Sequence, residues 1–205
     1  MKLKTITLSM LLASSLFAGK DTVIIDTPVI EIPTIDESAF YLGVGASYIN
    51  LTNSSTDETL TSLGATAQIG YRYNEYIGVE ARYTQSVGDV AYDKGNTPFA
   101  NIANYPTTSS NMALYLKPQY PIGDFSIYGL IGYGAIIYTD LPTATPNDRT
   151  ESGFQWGAGV DYKLIESISI FADFTRVYDG TGLDGHTPNS DLYSDIVTVG
   201  VSYSF

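Results

Sequence analysis

Charged side chains occur at regular positions inside otherwise apolar stretches, and they are the residues best placed for electrostatic chemistry. Glu80 and Arg82 are two positions apart, between Val79, Ala81 and Tyr83. Positions two apart share one face of a strand. A charge on a face turned away from water is costly unless an opposite charge pairs with it. The sequence therefore predicts a buried network of ion pairs, made of Arg72, Glu80, Arg82, Lys117, Asp161 and Asp173.

The lone histidine, His186, is the candidate for acid–base catalysis. It lies in Asp184–Ser190, among Gly and Pro, and a Ser–His–acid device needs its base on a rigid frame within reach of both partners. Oxygen ligands for Ca²⁺ could come from Asp179, Asp184, Asp191 and Asp195. Their spacing fits no EF-hand loop, so solvated loop acids are the favoured interpretation. We expect no enzyme activity, no cofactor and no metal site.

The segments that must position these charges alternate with a period of two. This is clearest at the end of the sequence, where one face carries Val197, Val199, Val201, Tyr203 and Phe205 and the other carries Thr198, Gly200, Ser202 and Ser204. An apolar face that ends in aromatic residues, opposite a small polar face, is typical of a strand between lipid and a polar interior. Thr198, Gly200, Tyr203 and Phe205 also match the C-terminal assembly signal of bacterial outer-membrane barrels. This match predicts the barrel assembly machinery as a partner.

Eight such segments can be counted, each near the roughly 9–11 residues that cross an outer membrane at a tilt. They are predicted at Ala39–Asn50, Ser62–Tyr73, Tyr76–Ser86, Asn111–Tyr120, Phe125–Tyr138, Gly153–Leu164, Ile168–Val177 and a last strand ending at Phe205. In the fifth, Leu130 and Ile136 interrupt the polar face. Because lipid cannot satisfy an open sheet edge, such strands must close. The sequence predicts an all-β fold, an eight-stranded antiparallel up-and-down transmembrane β-barrel over residues 38–205.

The lengths of the connections predict how the barrel is oriented. Those after the second, fourth and sixth strands are short, whereas long ones are expected at Asn53–Glu58, Gly88–Ser110, Asp140–Glu151 and Asp179–Asp191. Short periplasmic turns and long extracellular loops are the outer-membrane pattern. An even number of strands then places both mature termini in the periplasm.

The start of the sequence predicts export. Lys2 and Lys4 precede the apolar stretch Ile6–Phe17, which indicates a signal peptide over residues 1–18. Residues 19–37 follow as an acidic, Pro-containing tail, expected in the periplasm.

Removing residues 1–18 takes away two of the 10 basic residues and none of the 22 acids, which leaves a net charge of −14. Such a chain is not expected to bind nucleic acid through basic patches. It has no cysteine, so no disulfide framework is expected.

Four short motifs carry a resemblance to a known family. In chain order they are Gly78–Tyr83, Leu116–Pro118, Gly157–Tyr162 and Tyr203–Phe205. On these residues the sequence resembles the small eight-stranded outer-membrane barrels, of the OmpA transmembrane-domain and OmpX-like kind. The resemblance implies a monomer in the outer membrane of a Gram-negative bacterium, in contact with membrane lipids and lipopolysaccharide.

The predicted interior leaves two functions open. An eight-stranded barrel is just wide enough for its own side chains to fill, which favours a structural plug of paired charges. In the alternative, the pairs exchange partners and open a narrow, low-conductance channel. The favoured function is envelope integrity or surface interaction through the extracellular loops, with an unidentified ligand. A lipid A-modifying enzyme is a third hypothesis, which the sequence does not support because His186 lies on a loop.

Overall fold

The computed structural model of the chain describes residues 39–55, 57–88, 90–94, 108–139, 149–181 and 191–205. Its strands are β1 (Ala39–Asn53), β2 (Glu58–Arg72), β3 (Ile77–Ser86), β4 (Ala91–Lys94), β5 (Thr108–Ile122), β6 (Phe125–Thr139), β7 (Arg149–Ile165), β8 (Ile168–Thr181) and β9 (Asp191–Ser204). The predicted signal peptide, the tail over 19–37 and His186 lie outside the described residues. In the part of the chain that is described, no helix is long and apolar enough to span a membrane.

The strands form one antiparallel sheet that closes on itself. The order of neighbours is β1-β9-β8-β7-β6-β5-β3-β2-β4, and β1 also pairs with β2. β3 pairs with Gly64–Arg72 of β2, and β4 pairs with Glu58–Thr61 further along the same strand. β3 and β4 thus share one position in the wall, so the barrel is eight strands around and the predicted fold class is confirmed. β4 was not predicted, because so short a segment cannot show a periodicity.

Side chains alternate between the two faces of the wall as the sequence predicts. On β5, Met112 and Leu114 face outward and are each 63% exposed, whereas Tyr115 faces inward and is 2% exposed. A slip of one residue in register would turn every apolar side chain to the wrong face, so this alternation fixes the pairing. The outward rows predicted for the other strands are confirmed in the same way, from Phe40 on β1 to Phe205 after β9.

The first predicted long loop, Asn53–Glu58, is wrong. Asn53 and Glu58 pair with each other across β1 and β2, so the connection is only Ser54–Asp57. It is no longer than the link between β2 and β3 at the other end. The Asn, Thr and Ser residues of this segment are typical of a loop. A strand with polar residues on both faces can nevertheless continue its backbone pairing beyond the part predicted to face lipid. For the same reason β7 begins earlier than predicted and β8 ends later.

The barrel has two different ends, a turn end and a loop end. The turn end carries Gly123–Asp124 and Glu166–Ser167, together with the link from β2 to β3 and the final residue Phe205. The loop end carries Ser54–Asp57 and the connections that pass through residues 95–107, 140–148 and 182–190, which lie outside the described residues. The inward side chains between these two ends form the candidate site.

Candidate functional site in the barrel interior

Four inward side chains form a charge cluster that spans the lumen: Glu80, Arg82, Lys117 and Asp173. Each is at most 5% exposed. Glu80 and Arg82 lie on β3, and Lys117 lies on the neighbouring strand β5. Asp173 lies on β8, four strands from β3 around the barrel, so Arg82 reaches the opposite wall. The topology brings together residues that are far apart in the sequence.

The contacts join these side chains in one chain of ion pairs. The Arg82 guanidinium donates to both oxygens of Asp173, with Nη1–Oδ1 at 2.8 Å and Nη2–Oδ2 at 2.7 Å. Its Nε donates to Oε1 of Glu80. Lys117 Nζ donates to Glu80 Oε2 at 3.0 Å. Two acids face two bases, so the charge cluster is balanced, which is the condition for holding buried charges without a large penalty.

Inward-facing tyrosines, which were not predicted from the sequence, complete the charge cluster. Tyr41 OH donates to Glu80 Oε2 at 2.6 Å, and Tyr128 OH donates to Asp173 Oδ2 at 2.7 Å. Lys117 Nζ lies 4.0 Å from the ring centroid of Tyr128, within the range of a cation–π interaction. The signal was available, because Tyr41 and Tyr128 stand at positions whose neighbours face outward. They were missed because tyrosine was assigned to the aromatic belts.

Two of the six predicted network residues lie apart from the charge cluster. Among the described residues, no ion pair joins Arg72 or Asp161 to the other four. Arg72 has its guanidinium carbon 5.9 Å from the ring centroid of Tyr41, and its buried Nε has no hydrogen-bond partner. Asp161 is half-buried, level with Ser126 on β6. Alternation predicted that both face inward, but it could not give their height in the barrel.

A layer of neutral polar groups lies on the loop side of the charge cluster. Ser47 Oγ is 2.6 Å from Thr66 Oγ1 and 3.1 Å from Thr198 Oγ1, which joins β1 to both neighbouring strands. On the other wall, Gln155 Oε1 accepts from Tyr115 OH at 2.6 Å and Gln155 Nε2 donates to Asn111 at 2.8 Å. All six side chains are buried, and each is hydrogen-bonded within its own group, so the polar interior is filled rather than open.

The interior at the loop end is mainly apolar, with a Tyr138–Ser194 hydrogen bond inside it, which corrects the expectation of a polar lumen throughout. This apolar layer consists of Ile49, Leu51, Ile136, Tyr138, Val177, Leu192 and Ile196, each at most 7% exposed. Ile136 is one of the two residues that interrupted the polar face in the sequence, and the other, Leu130, is also completely buried. The layer was missed because most of its members lie near or beyond the predicted strand ends, where the pattern was not followed.

The residues of the predicted assembly signal lie on both faces of β9. Thr198 is 1% exposed and faces inward, and Gly200 packs beside Phe171 inside the barrel. Tyr203 and Phe205 face outward, and the amide of Phe205 donates to the carbonyl of Phe40 at 2.9 Å. These residues therefore contribute to the seam that closes the barrel. Their recognition by an assembly machinery stays a prediction.

Two of the loop acids that were considered as Ca²⁺ ligands are bound by an arginine. Arg176 donates to Asp195 with Nε at 2.9 Å and Nη2 at 3.1 Å, and to Asp179 with Nη1 at 3.3 Å. Its guanidinium also lies 4.6 Å from the ring centroid of Tyr193. This group lies on the outer face of β8 and β9, on the loop side of Phe174 and Val197, and it was not predicted from the sequence. Of the other two acids, Asp184 lies outside the described residues and Asp191 is exposed at the start of β9.

Comparison with known proteins agrees with this geometry. Residues 23–205 match the family described as the outer membrane protein beta-barrel domain. The chain is 27% identical to outer membrane protein X of Escherichia coli K12 over 128 residues, which are 54% of this chain and 74% of that protein. It is 28% identical to outer membrane protein A of Klebsiella aerogenes over 159 residues, which are 75% of this chain and 41% of that protein.

Solved structures share the fold at lower identity. Neisserial surface protein A superposes with a TM-score of 0.58 at 16% identity, covering 81% of this chain and 97% of that one. Ail of Yersinia pestis, crystallised with the heparin analogue sucrose octasulfate, superposes with a TM-score of 0.54 at 17% identity, covering 82% of this chain and 99% of that one. Both are small membrane barrels, so the similarity concerns the architecture.

Proposed function

The chain belongs to the family of outer membrane protein beta-barrel domains, and from that premise we propose that it is a closed, non-enzymatic barrel that serves envelope integrity or surface interaction through its loop end. Its similarity to outer membrane proteins X and A supports a location in the bacterial outer membrane. The observation that carries the proposal is the filled interior: a balanced charge cluster, a bonded polar layer and an apolar layer follow one another from the turn end to the loop end.

The apolar layer is the strongest argument against conduction. Ions entering from the loop end would have to pass Ile136, Leu51 and Ile196, of which none is more than 5% exposed. Hydrophobic constrictions exclude ions by keeping water out. The charge cluster alone would not decide the matter, because ion pairs can exchange partners. A narrow channel is therefore the competing function. Substitutions in the apolar layer and in the charge cluster are expected to change conduction differently.

The test is planar-bilayer recording of the refolded protein. We expect no steady current from the parent, and none from Arg82→Ala, since that variant keeps the apolar layer. Ile136→Ser together with Leu51→Ser should raise the frequency of brief openings, because both substitutions make the barrier polar. Leu114→Ser, an outward residue, is the matched control and should leave the trace silent. A steady cation current in the parent, or in Arg82→Ala with unchanged stability, would favour the channel instead.

Sidedness is part of the proposal, with the loop end outside and both mature termini in the periplasm. The chain has no cysteine of its own, so introduced thiols report without background from the protein. Cysteine in place of Asn96 or Asn147 should react with an impermeant maleimide on intact cells. Cysteine in place of Glu75 or Glu166 should react only after the outer membrane is opened. The reverse pattern of labelling would mean that the barrel is inserted the other way round.

The charge of the loop-end segments suggests what kind of partner they meet. Acidic residues at Asp57, Glu58, Asp89, Asp93, Asp140, Asp148, Glu151, Asp179, Asp184, Asp191 and Asp195 outnumber the basic residues Lys94, Arg149 and Arg176. Such a surface repels polyanions, so the sulfated ligand crystallised with Ail is not transferred to this chain. We favour contact with lipopolysaccharide phosphates through divalent cations.

A further inference from the structure

A groove lies on the outer face of the barrel, in the half nearer the turn end. It has a volume of about 690 Å³ and is lined by Pro118, Gln119, Tyr120, Ile127, Tyr128, Gly129, Ala158, Gly159 and Val160. Its floor is Gly129 and Ala158, which are partners in the pairing of β6 with β7. Tyr120, Ile127 and Val160 stand beside this floor and are 59%, 51% and 46% exposed. The groove therefore exists because two small residues are surrounded by large ones.

The pairing of β5 with β6 is interrupted beside the floor of the groove. It runs as far as Leu116 opposite Ile131 and resumes at Gln119 opposite Tyr128. Pro118, which lies in this gap, has no backbone N–H to donate. On the other side of β6 the ladder continues without a break, with Gly129 opposite Ala158. The proline ring therefore presents an apolar surface to the groove, beside Gly129.

The groove is continuous with the apolar face that the family places in the membrane. Its turn end reaches Tyr120, whose ring centroid lies 6.4 Å from that of Tyr76. On the adjacent strands the ring centroids of Phe125 and Tyr162 lie 4.6 Å apart. Tyrosine and other aromatic residues gather where lipid headgroups meet the hydrocarbon. A molecule lying in the groove would therefore have one end at the headgroup level and the rest in hydrocarbon.

We propose that this groove binds one acyl chain of a phospholipid as an ordered ligand. The apolar walls suit hydrocarbon, and the aromatic pairs at the turn end stand where the glycerol and headgroup would be. The assignment to a phospholipid of the periplasmic leaflet rests on the sidedness proposed above, whereas the binding of an acyl chain does not. The other candidate occupant is a bulky side chain of a second copy, and the experiment below distinguishes it from a lipid.

The direct test is to fill the groove with larger side chains on its floor, and the backbone at Gly129 has room for a side chain. A Cβ on Gly129 would lie 3.5 Å from Cγ of Pro118 and 3.9 Å from the carbonyl oxygen of Gly157, which are ordinary contacts. Gly129→Leu and Ala158→Leu should therefore fold while closing the groove. Ala46→Leu is the matched control, because Ala46 is an exposed outward residue on β1, four strands away on the opposite wall.

Each protein is refolded into phosphatidylcholine vesicles, exchanged into detergent and weighed by native mass spectrometry. The parent and Ala46→Leu should keep one phosphatidylcholine per barrel, and both groove variants should lose it. Equal retention in all four proteins, or no retained lipid in the parent, would overturn the proposal. A dimer in the parent that disappears in Gly129→Leu, without bound lipid, would overturn it in favour of a second copy.

A second readout uses the single tryptophan, Trp156, which faces outward two residues before Ala158. Phosphatidylcholine brominated on its acyl chains quenches a tryptophan that it touches. At a low fraction of brominated lipid, the parent and Ala46→Leu should be quenched more strongly than Gly129→Leu. Identical quenching curves for all three would contradict an ordered chain. Neither readout depends on conductance or on which end faces outward, so failure here leaves the proposed function standing.

Discussion

Replacing Arg82 with alanine is expected to lower the free energy of unfolding by about 3–5 kcal/mol, the usual cost of breaking one partner of a buried ion pair. Arg82 binds Asp173 through two hydrogen bonds and Glu80 through a third, and both carboxylates would lose their main neutralising partner. Lys117 would then face two buried negative charges alone. The measurement is urea unfolding of the refolded barrel, followed by heat-modifiable mobility and by the fluorescence of Trp156.

A second substitution separates charge balance from simple loss of packing. Adding Asp173→Asn to Arg82→Ala removes one negative charge and leaves Glu80 paired with Lys117, so part of the lost stability should return. The control is Lys163→Ala, an exposed basic residue for which a change below about 1 kcal/mol is expected. If the double variant is as unstable as the sum of the single ones, the charge cluster is not held together by its balance.

Gly132→Ala should cost about 1–3 kcal/mol or more, because the added methyl group has no room. A Cβ at this position would lie 2.1 Å from the carbonyl oxygen of Leu114 and 2.7 Å from Cδ1 of Tyr115. The first of these atoms belongs to the backbone of the neighbouring strand, and Tyr115 is held by its bond to Gln155. Neither can move away without disturbing the wall between β5 and β6. The expected result is a lower urea midpoint and a smaller folded fraction.

The same strand supplies the control, Gly129→Ala. Both changes reduce the freedom of the unfolded chain equally, which by itself stabilises by about 0.4–1 kcal/mol where the new side chain fits. At Gly129 it fits, since the nearest atom would lie at 3.5 Å. Gly129→Ala should therefore be neutral or slightly stabilising while Gly132→Ala destabilises. Equal effects at the two positions would show that crowding inside the wall does not explain the glycine at 132.

The sequence was sufficient for the architecture because a membrane barrel repeats one simple rule. Lipid on one side and a filled interior on the other force apolar and small polar residues to alternate, and this pattern can be read strand by strand. The eight-stranded fold and the outward rows followed from it. What alternation could not give is the end of a strand above the lipid, where both faces are polar. Asn53–Glu58 was assigned to a loop for that reason.

In the interior, the sequence pattern determined which residues face inward, and the tertiary structure determined which of them are in contact. Alternation determined that Glu80, Arg82, Lys117 and Asp173 face inward, because their strand neighbours face lipid. Only the closed sheet decided which of them meet, since the height of each residue depends on the register and tilt of every strand between them. Arg82 therefore reaches Asp173 on the opposite wall, whereas Arg72 and Asp161 do not join the charge cluster. The apolar layer is likewise assembled from four strands, and no single strand carries enough of it to be recognised in the sequence.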